Sequence, residues 1–147
     1  MVWRRLVRKG NTWQQLSPDE RALVRQALAL LALVALLLKF KGLQYTQAML
    51  NKRLAKNPVV PRANPLTATT RAVRIAARYS RGSACLSQSL VLWYLLRRQG
   101  IESELCIGVR RTEQFQAHAW VEYEGMVLND TPDVRIRYAA FDQLPRQ

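Results

Sequence analysis

The hydrophobic period of this chain changes once, at Gly100, and that change limits the fold more than any other feature. Before it, apolar residues recur at helical spacing and nothing alternates with period two. After it, Leu105, Ile107 and Val109 alternate with Glu104, Cys106 and Gly108. Successive strand side chains point to opposite faces, whereas helical side chains share a face every three to four residues. Helices followed by strands indicate an α+β fold rather than repeating β-α-β units. Phe115–Tyr123 and Met126–Asp130 read as two further strands, and Val134, Ile136 and Tyr138 suggest a fourth, so the expected sheet is an antiparallel meander.

The helical part is punctuated clearly. Ser17-Pro18-Asp19-Glu20 is a start signal, with Ser17 as N-cap, Pro18 at the first helical position and Glu20 completing a capping box. The helix runs into Ala27–Leu38, twelve unbroken apolar residues, and ends near Lys39, Lys41 and Gly42. Twelve residues reach only about 18 Å, short of a hydrocarbon core of about 30 Å. The run therefore reads as a buried or partner-contacting helix rather than a membrane span. A shorter basic helix follows to about Lys56.

Pro58, Pro61 and Pro65 mark a boundary, giving a basic helical segment over 1–57, a Pro-rich linker over 58–65 and a second unit over 66–147. Thr69 or Thr70 is expected to cap a helix carrying Arg71, Arg74 and Arg78 on one face. The next helix should run from Ala84 to Gln99 with Gly100 as its stop. Its segment Leu90–Leu96 is apolar on every side and should form the centre of the core.

The 147 residues carry 23 Lys+Arg against 10 Asp+Glu, a net charge of +13. Residues 1–65 hold +10 of it and residues 66–147 only +3. Charge confined to one half suggests an electrostatic partner for that half. Two cysteines and no signal-peptide pattern favour a reduced, cytoplasmic protein over a disulfide scaffold. One histidine and two distant cysteines fall short of a metal site, and no phosphate-binding glycine loop is present, so no cofactor is expected.

The only histidine, His118, lies in the strand Gln116-Ala117-His118-Ala119-Trp120. Cys85 sits in the first turn of its helix, at the second position if Ser83 is the N-cap, where unpaired amides and the helix dipole favour a thiolate. Cys106, mid-strand between Leu105 and Ile107, reads as packing. Asp130 can reach His118 if the preceding hairpin has a three-residue loop, Tyr123-Glu124-Gly125, which sets the two directly opposite. A two-residue turn at Glu124-Gly125 instead opposes His118 to Thr131. With the longer loop, thiol, imidazole and carboxylate form one nucleophilic site. Trp120 and Glu122 share the His118 face and are candidates for lining a substrate cleft.

Several blocks carry a resemblance: Cys85-Leu86-Ser87-Gln88-Ser89-Leu90, Leu95-Leu96-Arg97-Arg98-Gln99-Gly100-Ile101, Ile107-Gly108-Val109-Arg110, Ala117-His118-Ala119-Trp120-Val121-Glu122 and Leu128-Asn129-Asp130. In order and spacing they resemble the lasso-peptide leader peptidases, a family of transglutaminase-like cysteine proteases, over roughly residues 66–142. The resemblance implies a papain/transglutaminase-like core, with Cys85 as nucleophile, His118 as general base and acid, and Asp130 as orienting carboxylate. The backbone N–H of Cys85 would supply one oxyanion donor. It further implies a precursor peptide as substrate and a cyclase resembling asparagine synthetase that receives the freed amine. The first 65 residues contain no strand, as a winged-helix domain would require, so the chain resembles the stand-alone protease that works with a separate leader-recognition protein. Nucleic acid has no place in that scheme. The alternatives are a non-catalytic, basic binding module for peptide or nucleic acid and a membrane-surface protein using Ala27–Leu38.

Overall fold

The computed structural model describes residues 13–56, 59–80, 84–111 and 115–140. Helix α1 (Pro18–Lys56) begins where the capping box requires. The Glu20 N–H donates to Ser17 Oγ at 3.2 Å, and the Ser17 N–H donates to Glu20 Oε2 at 2.8 Å. Gly42, with φ 81° and ψ 177°, breaks α1 into two helical segments. That backbone conformation suits glycine alone. The Thr46 hydroxyl then donates to the Gly42 carbonyl at 2.8 Å.

The first segment of α1 is longer than its apolar run, about 36 Å for the residues before Gly42, and is apolar enough to cross a membrane. Length and composition would allow a span, and one face of the helix is committed to the core. Leu23, Val24, Ala27, Leu30, Leu31 and Val34 recur at helical spacing and enter the core, joined by Leu50 beyond the break. Helices α2 (Pro65–Tyr79) and α3 (Cys85–Arg98) cover that face.

Helix α2 starts four or five residues before the expected Thr69 or Thr70 cap. Proline is tolerated at the first helical position because its missing N–H would have no intrahelical partner there. Pro65 thus opens the helix instead of ending the linker, and Asn64 before it takes a left-handed conformation with φ 49°. Thr69 is buried, and the Thr70 hydroxyl donates to the Leu66 carbonyl at 2.8 Å. Helix α3 is central, with every residue from Leu90 to Leu96 buried. Gly100, at φ 80°, ends it, and the Ile101 N–H returns to the Leu96 carbonyl at 3.1 Å.

The sheet comprises β1 (Glu104–Arg111), β2 (Phe115–Tyr123), β3 (Met126–Val127) and β4 (Ala139–Ala140) in the order β3-β2-β1-β4. It is antiparallel throughout but not a simple meander, because the chain returns to pair β4 with the far side of β1. The expected fourth strand at Val134, Ile136 and Tyr138 is instead a single helical turn, α4 (Val134–Arg137), with β4 following it. In that turn Val134 is buried while Ile136 is 88% exposed, so the alternation there reflects one buried anchor rather than a pleat.

Candidate active site

The chain places its reactive groups on three segments: the start of α3, the middle of β2 and the bend after β3. Helix α3 begins at Cys85 after Ala84, which has extended backbone and no side chain able to cap, so Ser83 is not the N-cap. Cys85 is therefore the first helical residue, and the amides of the first turn have no side-chain acceptor from the N-cap. The thiol is partly exposed and outside any disulfide.

Strand β2 carries His118, Trp120 and Glu122 on one face. The hairpin to β3 pairs Glu122 with Val127 and Tyr123 with Met126. This is the two-residue turn at Glu124-Gly125, with φ 47° and 79°, not the three-residue loop. Regular pairing in that register would carry Asp130 to the wrong face, but the ladder stops first. The Leu128 N–H donates to the Val121 carbonyl at 2.9 Å, and there the chain bends away. The Asn129 side chain then takes the place of the missing strand, its Oδ1 accepting the Val121 N–H at 2.8 Å. The bend swings Asp130 back so that His118 Nε2 hydrogen-bonds Asp130 Oδ2. The contact exists, by a route that strand register does not provide.

Asp130 has further partners. Its Oδ1 accepts the Thr131 N–H at 2.6 Å and Arg137 Nη2 at 3.1 Å. Burial pushes its carboxyl up, but the His118 hydrogen bond, the Thr131 N–H and Arg137 together hold it below the ordinary 3.8. An ionised carboxylate only accepts hydrogen bonds, so the proton between Nε2 and Oδ2 belongs to the imidazole. In the neutral imidazole Nδ1 then carries the lone pair. The His118 ring also rests against Tyr138, with centroids 4.9 Å apart, and lies 6.2 Å from Trp120.

Cys85 forms no hydrogen bond with the imidazole among the described residues, but α3 is tied to both other segments one turn later. Ser89, on the same helical face as Cys85, is fully buried. Its hydroxyl donates to the Ala119 carbonyl at 2.9 Å, next to His118. The Asn129 amide in turn donates to Ser89 Oγ at 2.9 Å, next to Asp130. Cys85 therefore stands about 6 Å along the helix axis from a junction that touches the neighbours of both other residues. Nucleophiles and bases in unliganded sites are commonly farther apart than in the reacting complex.

Trp120 and Glu122 do not line an open cleft. Trp120 is 1% exposed, and its indole N–H donates to Glu122 Oε1 at 2.7 Å. Arg135 grips both Glu122 oxygens and pulls that carboxyl down, with the Trp120 hydrogen bond adding to the effect. Gly108 pairs with His118 across β1 and β2, and a Cβ there would lie 2.9 Å from the Trp120 ring and from the Tyr138 Cβ. The missing side chain lets both aromatics close beneath the imidazole. Ser89, Asn129, Arg137 and Tyr138 are the supporting residues that sequence reasoning missed. A serine in a helix and an asparagine in a bend carry no periodic signal of their own.

No solved structure matches the chain. Over 62 residues it is 39% identical to the microcin J25-processing protein McjB of Escherichia coli, a match covering 42% of this chain and 29% of that protein. The chain thus matches less than a third of that relative's length. A model of the transglutaminase-like superfamily matches residues 27–141, which takes in part of α1 and all of α2, α3 and the sheet. With this α+β architecture and its helix-borne cysteine, the chain belongs to the transglutaminase-like superfamily.

Proposed function

We propose that this protein is a cysteine endopeptidase that removes the leader from a lasso-peptide precursor. The observation that carries the reading is the His118–Asp130 hydrogen bond, joined to the Cys85 helix through Ser89 and Asn129. The similarity to a microcin-processing protein supports the substrate class. Cys85 gives its proton to His118 Nδ1, and the thiolate attacks the scissile carbonyl. The backbone N–H of Cys85 donates to the developing oxyanion. Imidazolium, stabilised by Asp130, protonates the leaving amine, and the C–N bond breaks to leave an acyl-enzyme. Water, deprotonated by His118, then releases the leader as a carboxylate and restores the thiol. The chain works in the cytoplasm, without a cofactor, beside a separate winged-helix leader-recognition protein, and passes the freed amine to a cyclase resembling asparagine synthetase.

The test is cleavage of the precursor, read by intact mass, with the recognition protein present. Cys85→Ala is expected to reduce the rate by at least about 10³-fold while leaving the thermal midpoint within a few degrees of the parent. Unchanged processing by Cys85→Ala would rule out Cys85 as the nucleophile, and absence of cleavage by the parent chain itself would point to a non-catalytic binding module.

A further inference from the structure

A cavity of about 270 Å³ lies between α2, α3 and the bend after β3. Val73, Leu92 and Leu128 form its apolar part, and Arg74, Gln88 and Asp130 stand among its polar groups. Cys85, Gln88 and Leu92 follow one another at helical spacing, so the cavity runs along the face of α3 that carries the thiol. From Cys85 to Leu92 is about 10 Å, the span of about three residues of extended peptide.

The charges around this cavity are unevenly satisfied. Asp130 is met by His118 and Arg137. Arg71, one turn before Arg74, pairs with Glu20 at 2.8 Å. Arg74 and Arg78 continue the same ridge, both exposed, and neither has an acidic partner among the described residues. Helix α2 contains no acidic residue at all. Arg74 is thus a cation at the cavity with no ion-pair partner among the described residues, on a fork-shaped group suited to a carboxylate.

We infer that this cavity selects its peptide by charge, with Arg74 receiving a Glu or Asp side chain that lies within about three residues of the scissile bond. The inference rests on the peptidase reading for its substrate, but its test separates the two. Short synthetic peptide pools that differ only in carrying Glu, Gln or Lys at one fixed position are titrated against full-length Cys85→Ala. Binding is read by the anisotropy of an uncharged coumarin label. At low salt the Glu pool should bind about 5-fold more tightly than the Gln pool, a preference that fades as salt rises. Arg74→Lys should keep the preference, and Arg74→Glu should turn it toward the Lys pool. Because Arg74 is exposed and has no ion-pair partner among the described residues, these variants should melt with the parent. Equal or absent binding of the pools, or a Glu preference that survives Arg74→Glu, overturns the inference. The same three substitutions made in the full precursor, given to the active protein with the recognition protein present, report the chemistry. Cleavage without charge preference sinks the inference and leaves the peptidase, whereas acid-selective binding without cleavage does the reverse.

Discussion

Both oxygens of Asp130 are occupied, one by His118 and the other by Thr131 and Arg137. The carboxyl consequently titrates below its ordinary 3.8, the three partners outweighing the upward push of burial. A carboxyl depressed in the folded state binds its proton more weakly there than in the unfolded chain. Its contribution to stability is full above the unfolded value and is lost as pH falls through the folded one. Urea unfolding of wild type and Asp130→Asn should therefore differ by a constant amount near neutrality, with the gap narrowing below about pH 4. A gap of the same size in acid would mean that these partners do not hold the carboxylate. The closeness of His118 and Asp130 was anticipated in the sequence, but through a three-residue loop that the chain does not use. Ser89 and Asn129 were not anticipated, since their importance comes from what the fold sets beside them.

Among the elements, the β2–β3 hairpin shows where reading from sequence stops. Gly125 satisfies both candidate loops, because each needs a left-handed residue at that position. Glu124 decides between them by adopting φ 47°, a conformation unusual enough for a non-glycine residue that the longer loop looks preferable beforehand. The Ser17–Glu20 capping box and the Gly100 stop fared better, since they act through neighbours three to five residues away. The helices expected to start at Thr69 or Thr70 and after Ser83 instead begin with Asn64 and Ala84 as their N-caps. Strand β4 depends on a return path that no local pattern encodes. Gly108 is a further case, ordinary in sequence yet indispensable to packing between Trp120 and Tyr138. Gly108→Ala should destabilise the protein by about 1–3 kcal/mol through overpacking and should perturb Trp120 fluorescence. Chemical denaturation with an unchanged midpoint would show that the aromatics yield without cost.

For the whole molecule, α1 is a structural partner of the other helices. The described parts of the segments at 1–57 and 66–147 share one core, in which Leu23, Val24, Ala27, Leu31 and Val34 are buried with Leu92 and Leu96. Removing α1 would expose that face of α2 and α3, at about 1.5–3 kcal/mol for each large side chain uncovered. A chain truncated to 58–147 should therefore lose cooperative thermal unfolding, and a sharp melt from that fragment would show that α1 is dispensable. The proposed recognition partner would find Leu36, Phe40 and Tyr45 exposed among Lys39 and Lys41 on the outward side of α1. The Ser89–Asn129 junction has a kinetic meaning as well. It joins residues 40 apart, and the Ser89–Ala119 bond spans 30, while α1, α2 and α3 each close their hydrogen bonds locally. Loop-closure entropy must be overcome before such distant groups meet. Helices can therefore gather early in folding, whereas the reactive constellation assembles only when the bend after β3 locks onto α3. On the proposed peptidase reading, a newly made chain would gain activity only after that junction has closed.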